Sequence, residues 1–181
     1  MELRLKTISK DGVPEAISKV ELYRYLNEPE EAESICRDIL AADPENQLAL
    51  RLLGLTLTDQ FEGRHSDRYA EAEKIFQSLT DPYELHYYMG LLFERRSKAQ
   101  MKAGVTAHTL VGSFQEAMRC FEEAEKIRPP HNDDAVLRWN RCVRLLEKLE
   151  GAPIEERPTV LEDDDTAPIE ITRRPGGRAA K

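Results

Sequence analysis

The chain has 181 residues, 40% of them hydrophobic and 33% charged, with a formal net charge of −8. That length suits one domain with a tail, and about 150 folded residues would bury roughly 68–70% of their unfolded surface, enough for a self-sufficient core. The charge argues against general attraction to nucleic acid or anionic membrane, no stretch approaches the ~20 apolar residues of a membrane span, and the opening MELRLKTISK lacks the apolar core of an export signal.

Residues 1–12 show no helical period and end in the turn signal Asp11-Gly12, which predicts a flexible lead-in. Pro14 suits a first helical turn, and Ala16, Ile17, Val20 and Tyr23 recur at steps of three and four, predicting helix 1 over 14–27. Asn27-Glu28-Pro29 breaks and restarts the chain. Helix 2 then carries Ala32, Ile35, Cys36 and Ile39 on one face and stops near Ala42. A connection this short forces an antiparallel hairpin. Asp43-Pro44 reads as cap and first turn of helix 3, whose face is Leu50, Leu53, Gly54 and Leu57, ending near Phe61. Gly63 to Ser66 reads as a loop with Ser66 as N-cap. Helix 4 presents Ala72, Ile75, Phe76 and Leu79.

Asp81-Pro82-Tyr83-Glu84 supplies a cap proline and a capping box for helix 5, with Met89, Gly90 and Phe93, continuing to about Ala103. Gly104 to Gly112 reads as a loop. Ser113-x-x-Glu116 is a second capping box, predicting that helix 6 opens there with Ala117, Cys120, Phe121, Ala124 and Ile127, and Pro129-Pro130 end it. Asn132 caps helix 7, whose expected face is Val136, Trp139, Val143, Leu146 and Leu149. Beyond Gly151 the period stops. Residues 152–181 combine four prolines, the acidic run Glu162-Asp163-Asp164-Asp165 and a basic end, a composition that predicts disorder. The expected organisation is therefore a lead-in at 1–12, a helical repeat domain at 13–151 and a charged tail at 152–181.

Seven helices with short turns and no strand pattern give an all-α chain, and a repeated internal spacing narrows that to an α-solenoid. Ala32, Cys36 and Pro44 share their spacing with Ala117, Phe121 and Pro129, and Ala72 and Phe76 supply a third copy without the proline. Leu50, Leu53, Gly54 and Leu57, then His86, Met89, Gly90 and Phe93, stand where a Trp-x2-Leu-Gly-x2-Tyr half-motif belongs. On these residues the chain resembles a tetratricopeptide repeat (TPR) protein, with three degenerate repeats and a C-terminal capping helix. Small residues belong where paired helices approach most closely, so Gly54 should meet Ala72, and Gly90 should meet Ala117. Phe76 and Phe121 should fill the gap toward the next repeat, each contributing about 1.5–3 kcal/mol by burial. The turns inside repeats two and three are longer than the family's, so an insertion at 98–112 is a place for individual function.

The resemblance implies a right-handed solenoid of antiparallel pairs whose first helices line a concave groove for a peptide or partner helix. By position the groove residues are Ile17, Glu21, Arg24, Arg51, Leu55, Tyr87, Leu91, Glu94 and Asn140. Family members that clamp the acidic end of heat-shock chaperones use lysine, asparagine and arginine at set positions. Ile17, Glu21, Leu52, Glu84 and Tyr88 stand there instead, which argues against that specialisation. Basic rows on helix 5 (Arg95, Arg96, Lys98, Lys102) and helix 7 (Arg138, Arg141, Arg144, Lys148) read foremost as solvated faces, with an acidic partner or the acidic run of the tail as the alternative.

No Gly-rich phosphate loop, nucleophile elbow or His-Glu-x2-His is present, so no catalytic residue is nominated. His131-Asn132-Asp133-Asp134 points its side chains in different directions at a helix start, and no metal or cofactor is expected. Cys36, Cys120 and Cys142 are odd in number and fall on apolar stripes, which fits a reducing cytoplasm rather than a disulfide framework. The expectation is a non-enzymatic cytoplasmic adaptor for a protein or peptide, with no nucleic acid and no membrane. The alternative is a structural protein that self-assembles into homo-oligomers through its helical faces.

Overall fold

A computed structural model describes residues 3–61 and 66–150. The described residues form a 3-10 turn at Lys10–Gly12 and seven α-helices: α1 Val13–Tyr25, α2 Pro29–Ala42, α3 Gln47–Asp59, α4 Ser66–Gln77, α5 Pro82–Lys102, α6 Ala107–Lys126 and α7 Asp134–Glu150. The fold is all-α. The expected tail at 152–181, and the loop residues 63–65, lie outside the described residues.

Local chemistry explains most of the boundaries. Pro14 and Pro29 sit in the first turns of α1 and α2, where a missing N–H breaks no hydrogen bond. Between those helices Asn27 takes a left-handed conformation (φ 60), and the N–H groups of Asn27 and Glu28 donate to the carbonyls of Arg24 and Tyr23. Asp81 caps α5, its carboxylate accepting from the Glu84 N–H at 2.9 Å. Glu84 does not complete a capping box, because its carboxylate is taken by Arg51 of α3. At the N-terminus, Ser9 accepts from the Gly12 N–H and Ile8 packs against the core, so ordered chain begins a turn before α1.

Three sequence expectations are corrected. Asp43-Pro44 does not open α3. The cap is Asn46, whose side-chain oxygen accepts from the Ala49 N–H at 2.9 Å, while Asp43 accepts from the Asn46 amide at 3.0 Å. The stretch 104–112 is not a loop. After a tight turn in which Gly104 has φ +81, α6 opens at Ala107, because Leu110 and Phe114 bury completely against α5. Gly112 lies inside that helix with nothing within 4 Å of where a Cβ would stand. The supposed insertion is thus the extended tip of an α5–α6 hairpin. On α7 the buried stripe is Ala135, Cys142 and Leu145, one position away from the expected face, and Val136, Trp139, Val143 and Leu146 are half-buried at its margin.

The helices pack in chain order, each on the next, and α1–α3, α3–α5 and α5–α7 also touch. Among the described residues the backbones of the even-numbered helices show no comparable approach, and α2 and α4 meet only through long side chains, Glu33 to Arg68 and Arg37 to Glu71. Odd backbones drawn closer together than even ones means the stack bends, with α1, α3, α5 and α7 on its inner side. One core lies among α1–α4, with Leu92 of α5 closing it, and a second lies among α5, α6 and α7.

The glycines mark where pairs close up. A Cβ on Gly54 would stand 2.2 Å from the Phe76 ring, and one on Gly90 would stand 2.7 Å from the Phe121 ring. Both rings are buried. Each phenylalanine therefore lies over the glycine of its own pair, where the sequence reading placed alanine. Phe76 also reaches the following helix, stacking on Tyr88 with centroids 5.4 Å apart, which is the role expected of it.

Candidate functional site

The inner side holds a concavity of about 500 Å³. It lies where α1 and α3 end and where the later half of α5 and the early and middle turns of α7 pass them. Its lining carries six cationic side chains: Arg24, Arg95, Lys98, Lys102, Arg138 and Arg141. Asp59 is the acidic group among them, and Phe61, Ala99, Met101 and Leu145 give it an apolar part. Arg95, Lys98 and Lys102 of one basic row and Arg138 and Arg141 of the other thus converge on one hollow, because α5 and α7 share the inner layer. Arg96 instead lies over the Tyr69 ring, and Arg144 and Lys148 are exposed.

Two carboxylates hold the cations in place. Asp59, last residue of α3, is shared by Arg24 of α1 at 2.8 Å and Arg95 of α5, and Arg95 also donates to the Thr58 hydroxyl at 2.7 Å. Glu94 is completely buried; one oxygen accepts from Lys98 and the other lies 3.5 Å from Arg138 without a hydrogen bond. Burial works to discharge Arg138, but the Glu94 charge and a hydrogen bond with Tyr87 outweigh it and the guanidinium is held above its ordinary value. One carboxylate between two cations leaves each trio with a positive charge. At 4 Å and an effective dielectric of 20, a pair of unit charges interacts by about 4 kcal/mol, so this surplus is a strong local field.

The α3–α5 seam also fixes the depth of the hollow. Asp59 meets Arg95, so the last seven residues of α5 run on past the end of α3. At 1.5 Å per residue that is about 10 Å of unmatched wall, carrying Lys98, Ala99, Met101 and Lys102.

The nine groove positions expected from sequence separate into three groups. Arg24 lines the concavity, and Leu55, half-buried in the first core, lends it a carbonyl that accepts from Arg95 at 3.3 Å. Ile17, Glu21, Arg51 and Asn140 lie outside it: Ile17 packs on the first core, Glu21 is exposed, Arg51 pairs with Glu84, and Asn140 is half-buried. Leu91 and Glu94 are buried, and Tyr87 is built into the second core against Tyr83, Tyr88 and Phe121. Leu91 and Glu94 therefore act from the interior, while Tyr87 is half-buried and keeps part of its surface open. Asp59, Arg95, Lys98, Lys102, Arg138 and Arg141 line the concavity without being among the nine expected groove positions. Their steps of three and four along α5 and α7 were the available signal.

Burial holds the three cysteines as thiols rather than thiolates. Burial pushes the Cys36 and Cys142 thiols up to about 12 and Cys120 up to about 11. No group of three or more His, Cys, Asp or Glu able to hold a metal occurs among the described residues. No helix among them is long and apolar enough to cross a membrane. No protein-family model matches the sequence, and no curated protein matches it either.

Proposed function

We propose that this chain is a non-enzymatic interaction module, a degenerate TPR-like right-handed solenoid. It holds an acidic segment of a protein partner against its inner face and works as a cytoplasmic adaptor or scaffold. The observation that carries this reading is the convergence of α1, α3, α5 and α7 on a single hollow lined by cations. Such a lining suits a chain of carboxylates better than an enzyme's substrate: it offers fixed positive charge and an apolar rim but no activated nucleophile. Its rigidity comes from the Asp59 and Glu94 ion pairs, which orient the guanidinium groups before a ligand arrives.

Fluorescence anisotropy with a labelled twelve-residue Glu/Asp-rich peptide tests the reading. Binding should weaken steeply with salt. Arg141→Glu, a change at an exposed position, should lower affinity at least tenfold while leaving helicity intact. No binding at low salt, or equal binding by the variant, would remove the reading.

A second reading, self-assembly, is favoured by a specific surface. Leu22, Tyr25 and Leu26 lie on one face of α1 and the turn after it, and are 48%, 87% and 51% exposed. Light scattering across a concentration series separates the two, since a growing mass that Tyr25→Glu abolishes belongs to self-assembly.

A further inference from the structure

We infer that in the free protein the cationic concavity is occupied by the chain's own acidic run, Glu162-Asp163-Asp164-Asp165, which competes there with external acidic partners. The inference rests on the binding-face reading above and adds its regulation. Three observations bear it. The chain carries −8 overall, yet six cations line its hollow against two carboxylates, Asp59 in the lining and the buried Glu94 behind it. Like charges gathered against low-dielectric walls attract the nearest available anion, and this run is the longest unbroken acidic stretch in the sequence.

The run is also within reach. α7 itself contributes Arg138, Arg141 and Leu145 to the lining and ends at Glu150, about 8 Å further along its axis than Leu145. Twelve residues lead from Glu150 to Glu162, enough to span up to about 40 Å. Finally, Val160 and Leu161 precede the run directly, and the lining pairs its cations with Phe61, Ala99, Met101 and Leu145. Apolar residues beside carboxylates in the segment match apolar residues beside cations in the hollow.

Tethering raises the effective concentration of the run to the order of millimolar. Against a dissociation constant of roughly 100 µM for the same segment in free solution, about one chain in ten would stand open, and external ligands would bind about tenfold more weakly.

The test uses the full chain in two forms, wild type and E162Q/D163N/D164N/D165N, with the labelled acidic peptide as probe. The expected result is about tenfold tighter binding by the neutralised chain. In wild type, carbodiimide should also join Lys98 or Lys102 to the 162–165 segment within monomers, and high salt should suppress that crosslink. Equal probe affinity for the two chains overturns the inference and leaves the binding face standing. An affinity gain without the crosslink assigns the effect to bulk charge and also overturns it. If neither chain binds the peptide, or if both bind an oligothymidylate in its place, the binding-face reading and the inference fall together.

Discussion

The front of the molecule, α1 to α4, and the rear, α5 to α7, solve one packing problem with different surroundings. In each, a phenylalanine lies over a glycine of the partner helix, Phe76 on Gly54 and Phe121 on Gly90. In front, the seam around that contact is tied by a polar network on the outer side. Glu33 of α2 accepts from Gln60 at 2.9 Å, Arg37 at 2.7 Å and Arg68 of α4, while Arg37 reaches Glu71. At the rear the α5–α6 seam is an apolar cluster, and polar contacts such as Glu94–Arg138 and Trp139–Glu122 run to α7 instead. The helices there are also longer, 21 and 20 residues in α5 and α6 against 13 and 12 in α3 and α4. Closeness of approach is therefore set by the glycine in both halves, whereas what secures the pair differs.

The sharpest way to break the comparison is to remove the rings. Phe76→Ala and Phe121→Ala should each cost about 3–5 kcal/mol in urea denaturation. If they differ by more than about 2 kcal/mol, the two contacts are not equivalent. Next come the glycines. Gly54→Ala should cost about 2 kcal/mol and Gly90→Ala about 1 kcal/mol, the deeper clash outweighing more of the helix-propensity gain. In a Phe76→Ala background Gly54→Ala should become neutral or stabilising, and a cost that persists there would place the clash elsewhere.

The outer network gives a smaller, pH-dependent difference. Burial pushes the Glu33 carboxyl up, but hydrogen bonds from Gln60, Arg37 and Arg68 together outweigh it and hold the carboxyl below its ordinary value. Its contribution is thus complete above the usual glutamate range and is lost as pH falls through the lowered value. Glu33→Gln should cost about 1–2 kcal/mol at neutral pH and flatten the acid side of the stability profile. An unchanged acid side would show that the network adds nothing. The smallest effect is chemical: a thiol reagent at pH 8 should label Cys120, half-buried, well before the buried Cys36 and Cys142. Simultaneous labelling would mean that the cores open together.

How much of this was legible in the sequence varies along the chain. Pro29, Asp81-Pro82 and the 3.6-residue stripes marked α1, α2 and α5 closely, because proline and caps act locally. The opening of α6 was obscured by Gly104 and Gly112, which read as a loop until Leu110 and Phe114 are seen to bury against α5. On α7 a one-position rotation selects Cys142 over Val143, a choice made by the neighbouring helix rather than by local pattern. The concavity was harder still. Its cations were visible as rows, but nothing local says that Arg95 of α5, Arg138 of α7 and Arg24 of α1 share a hollow. That depends on three long-range ion pairs and the bend of the stack. Tyr87, expected in the groove, is half-buried, with Tyr83, Tyr88 and Phe121 as ring partners.

The overrun of α5 beyond Asp59 has a last consequence. Two additional turns convert what would be a shallow saddle into a one-sided alcove, tall along one flank and low on the other. If the proposed binding face holds an acidic segment, that shape offers the segment a preferred side of approach, and trimming those turns should blunt discrimination between peptides of different length before it abolishes attraction to their charge.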